Sequence, residues 1–170
     1  MIDSFCIERF KLSCNLLYSL SRPNISKEWS NPSNFSVSKD FIHRGSFMDC
    51  IEYLYGFVPE VLKEDDNVKK DLSSLDKKIG SKDILNCAKD NDLIDLNEFS
   101  CLYNIFRSRG YLIHDTLVNK ELYFEKLSYV LKQIEKIDLK RFYNSIIKII
   151  RKINSNESKE NLVLKSSKVW

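Results

Sequence analysis

Only four glycines and three prolines occur among 170 residues. An all-β sandwich or barrel needs a tight turn every few residues, and this chain has few residues that could make them, so helices are favoured. Long apolar runs are missing too, and no stretch approaches the length that spans a bilayer. The first residues carry Asp3 and Glu8 and lack the basic-then-apolar order of a secretion signal. The five cysteines, Cys6, Cys14, Cys50, Cys87 and Cys101, are odd in number and form no C-x-x-C. The two histidines, His43 and His114, do not stand at zinc-ligand spacing from any cysteine pair. A reduced, cytoplasmic setting is expected, with the cysteines acting as small apolar core residues. No P-loop, G-x-G-x-x-G or H-E-x-x-H occurs, which argues against P-loop nucleotide hydrolysis and zinc hydrolysis. Glu64, Asp65 and Asp66 lack calcium-loop spacing and read as a solvated turn.

What is present is a globular composition, 43% hydrophobic and 30% charged, with a formal net charge of +3. That charge neither demands nor excludes a nucleic-acid partner. Its distribution is less even. From Lys136 to Lys152 the chain carries Lys136, Lys140, Arg141, Lys148, Arg151 and Lys152 against one acid, Asp138. Such a run is either a solvated helix face or a stripe that meets phosphates, with Lys140, Arg141 and Lys148 as the candidate RNA contacts.

Apolar periodicity predicts a first helix over residues 2–20, ending at Arg22-Pro23 because proline disfavours helix in the residue before it. Residues 23–38, rich in Ser and Asn, read as a loop. Ser38 is a candidate cap for a helix running to about Phe57, with Pro59 beyond it. A more polar helix is expected over 67–79 with Gly80 as its stop, then a short one from Ser81. Asp95-x-x-Glu98 is a capping box opening the next helix. After a break near 116–119, residues 120–153 carry dense helical spacing, with Asp138 as a kink or second cap. The expected fold class is therefore all-α: one helical domain over 1–153, with a long C-terminal helical segment, and a polar tail over 154–170. Leu162-Val163-Leu164 is the one candidate strand.

The segment Phe106-Arg107-Ser108-Arg109-Gly110-Tyr111-Leu112-Ile113-His114-Asp115 lies within residues 95–117. It resembles the signature of the HEPN superfamily, helical bundles of which many are metal-independent ribonucleases carrying an arginine and, after four to six intervening residues, a histidine. Ala88 to Leu117 as a whole follows the family pattern of a turn, a capped helix and then the Arg/His motif. Gly110 departs from it, standing where Asn, Asp or His is common, and Thr116 stands where some family toxins carry a modifiable tyrosine.

The resemblance implies a HEPN-like bundle that cleaves RNA through its own 2′-hydroxyl, as a toxin or antiviral defence effector. It implies a homodimer with a composite site, RNA as substrate, a possible antitoxin or regulatory protein as partner, and neither metal nor cofactor. A histidine near neutral pKa can take or give the proton, and a guanidinium matches the phosphoryl oxygens of the transition state. In that reading His114 is the acid/base and Arg109 the charge stabiliser, with Asp115 and Tyr111 as orienting neighbours. Helix geometry complicates the assignment. Five residues turn about 140°, so Arg109 and His114 share a face only where Gly110 disturbs the helix. Arg107, seven residues before His114, returns to within about 20° of it. Family register favours Arg109; helical geometry favours Arg107. Tyr103, Tyr111 and Tyr143 are candidates for stacking on RNA bases. The rival reading is a catalytically inactive helical module that binds RNA, a nucleotide or a partner protein. Phe41-Ile42-His43-Arg44-Gly45 is a second His/Arg neighbourhood, read as packing or surface.

Overall fold

The computed structural model describes residues 2–31, 33, 43–114 and 120–167; for 113, 114, 120 and 157–167 it describes the backbone alone. Within these residues the regular structure is helical, with no strand. The helices are α1 (Ser4–Ser21), α2 (Pro23–Trp29), α3 (Gly45–Leu62), α4 (Asp66–Ser73), α5 (Ser81–Asp90), α6 (Leu96–His114), α7 (Lys120–Glu135) and α8 (Leu139–Ser167). Among the described residues, no helix is long and apolar enough to cross a membrane.

Helix α1 begins where the Asp3 carboxylate accepts the Cys6 amide at 2.9 Å, which satisfies one of the free donors of a first turn. It buries Phe10, Cys14, Leu17 and Leu20, spaced three and four apart. Arg22 is extended (φ −58°, ψ 133°) ahead of Pro23, as the proline ring requires. Pro23 then starts α2 instead of a loop, because its fixed φ and missing N–H suit a first helical position. Trp29 closes α2, with its indole N–H on the Leu20 carbonyl at 3.1 Å. Ser38 and the start of the helix expected after it lie outside the described residues. Helix α3 carries Pro59 inside it, one turn further than the sequence suggests. Helix α4 is shorter than expected and stops at Ser73, well before Gly80.

The capping box of α6 is complete: the Glu98 amide bonds Asp95 Oδ1 at 2.7 Å and the Asp95 amide bonds Glu98 Oε2 at 2.8 Å. Asp138 is a cap as well, accepting the Arg141 amide at 3.0 Å at the head of α8. From there α8 runs through Ser167, past the expected limit at 153, so Leu162-Val163-Leu164 is helical backbone and not a strand.

Helix α1 lies against α3, α7 and α8, while α6 packs on α7 and also touches α3 and α5. Phe10, fully buried, marks the centre, with ring centroids 5.2 Å from Phe57 on α3 and 6.1 Å from Phe142 on α8. The Asn154 side chain on α8 accepts the Ile2 amide and donates to the Ile2 carbonyl, both at 2.9 Å, and so clasps the entry to α1. All five cysteines are free thiols. Burial pushes Cys14 up to about 12 and Cys50 to about 11, so both are core groups and not thiolate nucleophiles.

Candidate functional site

The motif occupies the last two turns of α6, which is α-helical without interruption through Gly110 to His114. A Cβ at Gly110 would meet nothing within 4 Å, so no close approach requires the glycine. An unbroken helix keeps positions 109 and 114 about 140° apart and positions 107 and 114 on one strip. Gly110 therefore does not bend the helix to bring position 109 round.

The two arginines face different surroundings. Arg109 turns toward α3, where its Nε donates to Glu52 Oε1 at 2.5 Å and its guanidinium lies 3.9 Å from the centre of the Tyr55 ring. Tyr55 in turn meets Phe106 edge-on at 5.2 Å. This is a joint between α6 and α3 built from an ion pair and a cation–π contact. Arg107 is exposed and makes no ion pair among the described residues. Tyr111, four residues on, is 45% exposed and has Lys126 Nζ of α7 at 5.5 Å from its ring centre. Arg107 and Tyr111 therefore lie on one exposed strip of the helix, and the register of position 114 falls in line with them. The side chain of His114 and all of Asp115 and Thr116 lie outside the described residues.

Lys140, Arg141 and Lys148 line one shallow groove, with Asp138 at its end. Arg141 has a second commitment. Its Nη1 lies 2.9 Å from Asp95 Oδ2 and its Nε 4.0 Å from Glu98 Oε1, so it faces the acids that cap α6. Glu98 is buried, and burial raises its carboxyl above the ordinary value against the pull of the Asp95 amide.

The other candidates resolve into packing. His43 stacks on Trp29 with centroids 6.4 Å apart. Arg44 is buried with its guanidinium 4.8 Å from the Phe124 ring. Glu64 pairs with Lys69 at 2.8 Å. Asp65 is buried, caps α4 through the Asn67 amide at 3.0 Å and binds Lys152 Nζ at 3.1 Å, which corrects its reading as part of a solvated turn. Glu52, Tyr55 and Lys126 are the residues sequence reasoning missed. Glu52 is 57 positions from Arg109, and no local pattern links the two.

Known protein families, characterised proteins and solved structures yield no match to this chain. The likeness to HEPN domains therefore rests on residues 88–117 of the sequence.

Proposed function

We propose that the chain is a HEPN-type, metal-independent endoribonuclease acting in the cytoplasm on single-stranded or loop RNA, as a toxin or defence effector. The observation that supports this reading is the uninterrupted α6, which carries an exposed guanidinium, Arg107, on the same strip as position 114. In the proposed chemistry His114 takes the proton of the ribose 2′-hydroxyl, whose oxygen bonds to the adjacent phosphorus. The bond from phosphorus to the 5′-oxygen breaks, and that oxygen receives a proton from an imidazolium. The products are a 2′,3′-cyclic phosphate and a 5′-hydroxyl. Arg107 neutralises the phosphoryl oxygens as charge builds on them, while Arg109 holds α6 against α3. Two copies facing each other across a two-fold axis bring a second His114 and Arg107 to the same phosphate. An antitoxin or other regulatory protein would act by covering that strip.

The test is cleavage of labelled single-stranded RNA in EDTA by the full chain and by His114→Ala, Arg107→Ala and Arg109→Ala. Cleavage that survives chelation, falls at least a hundredfold in the first two variants and leaves cyclic-phosphate ends supports the reading. Equal background in all four proteins ends it.

A second reading, an inactive RNA-binding module, is favoured by one observation: the motif's Arg109 is engaged with Glu52 and Tyr55. RNA binding with no His114-dependent cleavage would select it.

A further inference from the structure

Helix α1 and the head of α8 leave between them a cleft of roughly 690 Å³, within the usual range for sites that enclose a small organic group. Its floor includes the buried Cys14 and Leu139. Two aromatic rings line it, Tyr18 from α1 and Tyr143 from α8. Tyr143 is held by stacking on Phe10 at 5.6 Å, and Tyr18, 51% exposed, carries the Arg22 guanidinium 4.6 Å from its ring centre. Lys11 and Lys140, both exposed, bring one ammonium from each helix. The cleft also opens onto the basic groove of α8, for Asp138 and Lys140 line both.

The combination narrows the ligand. A purely apolar occupant leaves the two ammoniums without a role. A free phosphate leaves the aromatic wall without one. A flat aromatic ring joined to an anion uses both, and a polyanion uses the groove beyond, where Lys148 lies two helical turns, about 12 Å, from Lys140. We infer that the cleft takes one unstacked nucleobase of a single-stranded RNA, with its flanking phosphates on Lys11 and Lys140 and the strand continuing over Arg141 toward Lys148. Duplex RNA cannot enter this way, because its bases are already stacked and paired. The inference rests on the reading above for RNA as the ligand, and it is independent of His114 and of cleavage.

The experiment measures fluorescence anisotropy of a labelled single-stranded RNA of about ten nucleotides, a length one small domain can cover. The full chain carries His114→Ala so that the probe stays intact, and a duplex RNA of similar length serves as comparison. Tighter binding of the single strand is expected, weakened about ten-fold or more by Tyr18→Ala, restored by Tyr18→Trp, and weakened again by Lys140→Glu. In the chain without cleft substitutions, a strand bearing 4-thiouridine should photocrosslink to the peptides holding Tyr18 or Tyr143. Binding indifferent to Tyr18 and Lys140, equal binding of duplex, absence of binding, or crosslinks mapping only elsewhere each overturn the inference. The two readings separate cleanly. Tyr18-dependent binding by a chain that never cleaves RNA keeps the cleft and ends the nuclease. His114-dependent cleavage with Tyr18-indifferent binding does the reverse.

Discussion

Arg109 reaches across from α6 to α3 and sets its Nε 2.5 Å from Glu52 Oε1, with the Tyr55 ring beneath the guanidinium at 3.9 Å. An arginine so placed holds two helices in register as well as carrying charge. Both partners remain partly exposed, which moderates the ion pair. Arg109→Ala should lower stability by about 1–2 kcal/mol, seen as a melting temperature lower by roughly 3–6 °C. Arg107→Ala should leave stability within about 0.5 kcal/mol, as a surface change does. Urea titration of both variants, with Glu52→Ala to complete a double-mutant cycle, measures the difference. Equal stability losses would contradict the division of roles between the two arginines.

Gly110 sits inside a regular helix with open space around it. Gly110→Ala should raise stability by about 0.5–1 kcal/mol, because alanine loses less backbone freedom on folding. Denaturant midpoints of the two chains check the outcome.

At Asp65, burial works to raise the carboxyl pKa. The Lys152 bond and the amides of Asn67 and Val68 outweigh it and hold the group below its ordinary 3.8. The folded chain therefore binds this proton less readily than the unfolded chain. The stabilising contribution is fully present above the unfolded value and is lost as pH falls through the folded one. Compared with Asp65→Asn, the unsubstituted chain should hold its advantage at neutral pH and lose it below about pH 4. Lys152→Met removes the ion pair and leaves the burial, so its acid unfolding midpoint should move to higher pH. Urea melts across that range test both.

The basic groove predicts a salt signature. Lys140→Ala and Lys148→Ala should each reduce the slope of log affinity against log salt by about 0.7 for single-stranded RNA, without loss of stability. Arg141→Ala should differ, since Asp95 and Glu98 lose the cation that faces them. It should lower the melting temperature as well as the affinity. Anisotropy at several salt concentrations, beside thermal melts, separates a phosphate contact from a structural one.

Local signals carried much of this fold. The Asp95/Glu98 box, the Asp138 cap and the apolar stripe of α1 each act within one or two turns, and each is where the sequence places it. Positions where one residue has two meanings were harder. Pro23 ends α1 and starts α2, so the same ring that announces a break also nucleates a helix. The polar stretch after 153 has no apolar stripe to mark it, yet its backbone continues α8. At the candidate site the sequence placed the motif on a helix and left two arginines open. Their surroundings differ through Glu52 and Tyr55 on α3, contacts fixed by tertiary packing and invisible to periodicity.

The clasp between Ile2 and Asn154, and the rings that enclose Phe10, set an order of events during synthesis. Helix α1 is made before α3 and can bring Phe10 to Phe57 once α3 follows. Phe142 and Tyr143 arrive only after a further delay on the order of ten seconds at typical translation rates. Through that interval the side of α1 that α8 will cover has no permanent neighbour. A nascent chain stalled before α8 should therefore engage chaperones, and release should coincide with the emergence of α8.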